Sequence, residues 1–137
     1  ALAESCTGGL NAEKITSVPG SSKVFDLGLV AYANQVKMAL LEVPAEDLLR
    51  HGAVSEVVAR SMAEGARRRG SATWGIGVTG VAGPDGGTPE KPVGTVHLAV
   101  AGPEGTRSSE HHFFGDRRRV RLTAAYTALN QLRLLLR

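Results

Sequence analysis

The sequence predicts an α/β layer fold. Strand-like apolar runs alternate with helix-periodic segments along the chain. The 137 residues are 42% hydrophobic and 21% charged, which suits one ordinary globular domain and argues against disorder. No repeat or low-complexity tract interrupts the alternation.

Each element has its own signal. Ala1 to Glu4 reads as the end of a strand, and Ser5-Cys6-Thr7-Gly8-Gly9 as a small polar turn. Leu10 to Val18 reads as a short helix with Leu10, Ile15 and Val18 at core positions. Pro19-Gly20-Ser21-Ser22 is a loop. The apolar run Leu27 to Tyr32 predicts a buried strand. Asn34 suits an N-cap, with Val36 to Leu41 continuing the helix. Pro44 opens a further helix, with Glu46 and Asp47 in its first turn, Arg50 and His51 in its last, and Gly52 beyond. Ser55 caps the next helix, whose stripe is Val58, Ala59, Met62, Ala63 and Ala66, and Gly70 closes it. Thr73 to Thr79 is a strand, followed by a long loop from Gly80 to Pro92. Gly94 to Ala101 and Thr106 to Phe114 form a hairpin about Gly102-Pro103-Glu104-Gly105. Asp116 caps a last helix reaching about Leu136, with Val120, Ala124, Ala128, Leu132 and Leu135 facing inward.

Composition narrows the function. No apolar run approaches the roughly 18 residues a membrane span needs, and no basic-then-apolar leader opens the chain. The single cysteine, Cys6, cannot form an internal disulfide, which fits a reducing, cytoplasmic setting. A net charge of +3 demands no polyanionic partner, and 4% aromatics weaken a single-strand nucleic-acid reading. His51, His97, His111 and His112 match no zinc spacing, and His111 and His112 point to opposite faces of a strand.

Three places fit stability poorly and chemistry well. Ser5 sits where a strand turns into a helix, with helix N–H groups aimed at the same spot. That geometry suits a nucleophile with an oxyanion or phosphate cradle. A serine cap with a flexible glycine turn explains the same residues. Cys6, with no nearby histidine in sequence, reads as a small buried hydrophobe. Lys37 falls at the third helical position after Asn34, among Val36, Met38, Ala39 and Leu40. Helix dipole and burial both lower a lysine pKa there, as a general base requires; a solvated surface lysine is the other reading. Arg117, Arg118, Arg119 and Arg121 crowd a helix N-terminus, where cations need an anion such as phosphate. A solvated basic face is the alternative. The Gly80–Pro92 loop is long for a compact domain and lacks a Walker-type ending.

Taken together, these motifs resemble the CinA C-terminal domain family. The resemblance rests on Ala3-Glu4-Ser5-Cys6-Thr7-Gly8-Gly9, Pro19-Gly20-Ser21-Ser22, Tyr32-Ala33-Asn34 with Lys37, and His51-Gly52-Ala53-Val54-Ser55. It continues through Val78 to Gly87, Lys91 to Val96, and Phe114-Gly115-Asp116-Arg117 with Arg121, covering nearly the whole chain in order. It implies a three-layer α/β/α sandwich with a mixed, mostly parallel five-stranded sheet. It implies one domain over residues 1–137, lacking the helix and most of a strand that the family places before the Ala-Glu-Ser-Cys motif. Members include amidases that convert nicotinamide mononucleotide to nicotinate mononucleotide and ammonia, without metal or cofactor.

On that resemblance Ser5 is the nucleophile and Lys37 its base, with Tyr32 and Thr79 beside them. Thr7, Gly8, Gly9, Asn34, Gly80, Gly83, Arg117 and Arg121 are expected to bind substrate and its phosphate, Arg117 being the best motif match. N–H groups around Thr7 to Gly9 are expected to hold the oxyanion. A small-molecule nucleotide substrate, a homo-oligomer and a possible N-terminal domain in a longer chain follow as expectations; a membrane or nucleic-acid partner does not. A catalytically inactive nucleotide-binding module is the alternative.

Overall fold

A computed structural model describes all 137 residues. Its strands are β1 (Leu2–Glu4), β2 (Gly28–Val30), β3 (Gly75–Gly80), β4 (Thr95–Gly102) and β5 (Gly105–His112). Its α-helices are α1 (Leu10–Thr16), α2 (Asn34–Leu41), α3 (Ala45–His51), α4 (Glu56–Arg69) and α5 (Arg117–Leu135). The strands form one open sheet in the order β2-β1-β3-β4-β5. The pairings β1–β2 and β1–β3 are parallel, while β3–β4 and β4–β5 are antiparallel. The sheet is therefore mixed, and only its β2-β1-β3 half matches the expectation of mostly parallel strands.

Pleat alternation sorts the core into two layers. Leu2, Cys6, Ile76, Val78, Val96, Leu98 and Val100 face Val120, Ala124 and Ala128 of α5. On the other face, Ala3 and Ala31 meet Val58, Met62 and Ala66 of α4, with Leu41 of α2 and Leu48 of α3. Every residue of the α4 stripe read from the sequence is fully buried. The contact of α4 with the sheet is very close: Ala59 and Ala63 pack on Ala99 and Ala101. A Cβ added at Gly77 would lie 2.3 Å from the Ala59 carbonyl oxygen.

Helix ends follow their caps where a side chain is free to act. The Ser55 hydroxyl accepts the Val58 N–H, and the Asp116 carboxylate accepts the Arg119 N–H at 2.8 Å. Asp116 thereby supplies an anion at the arginine-rich end of α5.

Three local readings need correction. The run Leu27–Tyr32 is not a buried strand: β2 is an edge strand whose Gly28 and Val30 are exposed, because it pairs with β1 alone. Asn34 is not the cap of α2. The Ala33 carbonyl accepts the N–H groups of Val36 and Lys37, so the helix starts one residue earlier and Lys37 is its fourth residue. Gly70 does close α4, in the right-handed region, with the left-handed residue next at Ser71, φ 48°. Gly70 is small because a Cβ there would lie 3.0 Å from the Ala1 Cβ. Helix α1 ends at Thr16 rather than Val18, which is 59% exposed.

Replacing Gly77 by alanine forces a methyl into the α4 backbone. The expected cost is about 1–3 kcal/mol, read as a lower denaturant midpoint at unchanged slope. A midpoint equal to that of the unaltered protein would show that the layers separate freely.

Candidate active site

Ser5 follows directly from β1. Its N–H donates to the Val78 carbonyl at 3.0 Å, prolonging the parallel pairing by one residue. The chain then turns, and the Gly8 N–H donates back to the Ser5 carbonyl at 3.0 Å. This sets the Ser5 side chain on the α2–α4 face of the sheet, nearly buried at 9% exposure.

Lys37 comes from α2 and is 1% exposed. Its Nζ lies 2.8 Å from the Ala31 carbonyl oxygen, 2.9 Å from the Tyr32 carbonyl oxygen and 3.2 Å from Ser5 Oγ. Those are three partners for one amine. As an ammonium it donates to all three. As a neutral amine it donates to the two carbonyls and accepts the Ser5 hydroxyl proton on its lone pair. Burial pushes the Lys37 pKa below its ordinary value of 10.5. The cause is desolvation by burial.

The neighbouring thiol behaves differently. Cys6 is buried on the opposite face, and burial pushes its pKa up to about 11. It stays protonated and is no nucleophile at neutral pH.

The other residues expected at the site fall into three groups. Tyr32 and Arg117 stand at the mouth. Tyr32 is 60% exposed, and its hydroxyl accepts from Arg117 Nη2 at 3.2 Å. Arg117 Nη1 donates to the Gly83 carbonyl at 2.7 Å, tying the long loop to the start of α5. Thr79, 1% exposed, lies on the strand beside Ser5 and donates to the Ala53 carbonyl at 2.8 Å. Gly80 closes β3, where a Cβ would lie 2.7 Å from Val96 Cγ2. Asn34 is exposed at the first position of α2.

The second group is the turn itself. Thr7 is fully buried, and its hydroxyl has no hydrogen-bond partner. The Gly9 N–H donates to the Glu4 carboxylate at 3.1 Å and the Gly8 N–H to Ser5. Neither is free to hold an oxyanion, contrary to the expectation for Gly8 and Gly9. The unpartnered N–H groups of this turn are those of Cys6 and Thr7. The third group is Arg121 alone. Its Nε and Nη2 donate to the Cys6 and Thr7 carbonyls, both at 3.0 Å, so the fork is committed to the turn.

Sequence reasoning assigned no role to Glu4. It is 2% exposed, and its carboxylate accepts N–H bonds from Gly9, Asn11 and Ala12. The signal lies in what α1 lacks: Gly9 precedes Leu10, so no local side chain can cap the helix. A carboxylate several residues upstream fills that need. Two surface clefts lie away from this site. One of about 390 Å³ lies at the other end of the sheet, lined by Trp74, Thr106, Arg107 and Leu135 among others. No helix is long and apolar enough to cross a membrane.

Comparison with known proteins agrees with this architecture. A model of the CinA C-terminal domain family matches residues 1–136. A CinA-like protein of Anaeromyxobacter sp. (strain Fw109-5) is 69% identical over 137 residues, 100% of this chain and 33% of the relative. A CinA-like protein of Gemmatimonas aurantiaca is 55% identical over 133 residues, 97% of this chain and 31% of the relative. The chain thus spans about a third of the length of the curated relatives it matches. The crystal structure of the competence/damage inducible protein CihA from Agrobacterium tumefaciens superposes with a TM-score of 0.97 at 45% identity, covering 99% of this chain and 84% of that one. A CinA superfamily protein from Escherichia coli gives a TM-score of 0.94 at 40% identity, covering 98% of this chain and 78% of that one. With a family match from end to end and the same fold in solved relatives, this chain belongs to the CinA C-terminal domain family.

Proposed function

We propose that this domain is a serine amidase that deamidates nicotinamide mononucleotide, with Ser5 as nucleophile and Lys37 as base. One observation carries the reading: the buried Lys37 amine touches Ser5 Oγ and is otherwise held only by two backbone carbonyls. A proton passes from Ser5 to Lys37 without moving a heavy atom, because both protonation states find partners in the same place. The nicotinamide substrate is inferred from family membership.

The steps follow from these atoms. Neutral Lys37 takes the hydroxyl proton as Ser5 Oγ attacks the carboxamide carbon. The oxyanion is held by the unpartnered N–H groups beside Ser5, those of Cys6 and Thr7. Lys37 returns the proton to the amide nitrogen, and ammonia leaves. Water, deprotonated by Lys37, then cleaves the acyl-enzyme and regenerates Ser5. Arg117, exposed at the mouth, meets the substrate phosphate after exchanging its contacts with Gly83 and Tyr32.

The test is ammonia release from nicotinamide mononucleotide by the full-length protein. Ser5→Ala and Lys37→Ala are each expected to lower kcat by at least about 10³-fold, as losses in a concerted nucleophile–base unit do. Full activity in Ser5→Ala would refute the scheme. Binding without turnover in the unaltered protein would assign the domain to the inactive nucleotide-binding alternative.

The pH dependence has a fixed sign. Activity rises with pH as Lys37 loses its proton, with a midpoint below 10.5. Stability moves the same way. Between the lowered folded value and 10.5, the unfolded chain carries a Lys37 proton that the folded chain lacks, so stability rises with pH across that window. Lys37→Met is expected to abolish this part of the rise in denaturation experiments from neutral to alkaline pH. An unchanged slope would mean that Lys37 is charged when folded.

A further inference from the structure

We propose that Glu4 and Arg121 act as a two-sided clamp on the nucleophile turn, as positioning residues that decide which backbone N–H groups beside Ser5 stay free. The proposal rests on the serine–lysine reading above and assigns Arg121 to the turn rather than to the substrate phosphate.

Glu4 works from the N–H side. Its buried carboxylate accepts from Gly9 and Asn11 through Oε2, both at 3.1 Å, and from Ala12 through Oε1 at 2.9 Å. The start of α1 is therefore occupied by a resident anion and is closed to a substrate anion. Arg121 works from the carbonyl side, holding Cys6 and Thr7 at 3.0 Å each. The only cis peptide bond in the chain is Gly83–Pro84, so the peptides of the turn are trans. In a trans peptide the C=O and the following N–H point in opposite directions. Drawing the Cys6 carbonyl toward Arg121 therefore turns the Thr7 N–H away from it. Drawing the Thr7 carbonyl the same way turns the Gly8 N–H toward the Ser5 carbonyl, where it is found. With Ser5 N–H on Val78 and Leu10 N–H on Thr7, the residues from Ser5 to Ala12 keep two unpartnered main-chain N–H donors, those of Cys6 and Thr7.

The clamp also separates two arginines that lie one helical turn apart. Arg117 bonds groups at the mouth, Gly83 and Tyr32. Arg121 is half-buried and reaches a turn 114 residues away in sequence. Their side chains therefore answer different substitutions.

The test compares Glu4→Gln and Arg121→Lys with the full-length unaltered protein. The first readout is the rate at which a fluorophosphonate labels Ser5, where the Ser5 O–P bond forms, fluoride leaves and the proton passes to Lys37. The second is kcat/KM for nicotinamide mononucleotide and for its nucleoside, which lacks the phosphate. Thermal melting confirms folding. Both variants are expected to label at least 10-fold more slowly and to lose kcat/KM by the same factor on both substrates. Labelling at the unaltered rate would overturn the clamp. A loss by Arg121→Lys confined to the phosphorylated substrate would overturn it too, making Arg121 a phosphate ligand. If Glu4→Gln fails to fold, Arg121→Lys and Gly8→Ala decide. Gly8 sits at φ 58°, and its added Cβ would lie 3.0 Å from Arg121 Nη2, displacing the guanidinium. A protein that is neither labelled nor active before any substitution would refute the serine–lysine reading itself, and the clamp with it.

Discussion

The candidate site depends on keeping one amine dry. Lys37 is buried to 1% exposure without a carboxylate partner, so its charged form is costly and backbone carbonyls must satisfy its N–H groups. Those carbonyls, from Ala31 and Tyr32, lie just past the end of β2. Ser5 lies just past the end of β1, which pairs with β2 in parallel. Parallel pairing brings two strand ends to the same edge, and α2 delivers the lysine between them. The edge position of β2 is part of this arrangement, because the carbonyls that follow it are left to the lysine rather than to another strand.

The remaining polar groups keep the turn rigid around that amine. A helix with no local cap takes Glu4, and a turn with two outward carbonyls takes Arg121. Asp116 fills the N-terminus of α5, so the arginines after it stand beside an anion that belongs to the chain. On the face that carries Ser5 and Lys37, small residues let α4 lie almost directly on β3 and β4. This close layer holds the sheet from which Ser5 and Thr79 emerge.

Much of the fold was legible because its signals are local. The Ser55 and Asp116 caps, the buried α4 stripe and the β4–β5 hairpin each depend on a few adjacent residues. The edge exposure of β2 was not legible, since an apolar run does not say how many neighbours a strand has. The start of α2 shifted because the Ala33 carbonyl, not the Asn34 side chain, opens the helix. Ser5 and Lys37 were each noticed as poorly placed residues, but their contact spans 32 positions and follows from strand pairing. Only the family resemblance joined them in advance. Glu4 escaped notice because its three bonds go to main-chain groups five to eight residues on, a spacing that marks no motif.

The central claim is that Lys37 is a neutral amine in contact with Ser5, and the direct measurement is nuclear magnetic resonance of the lysine ε-carbons across a pH titration. The chain has four lysines, at 14, 23, 37 and 91. The account requires one signal, assigned by its loss in Lys37→Met, to titrate below the ordinary 10.5 and to shift when Ser5 is replaced by alanine. A Lys37 signal that titrates together with the other three, indifferent to Ser5, would contradict it.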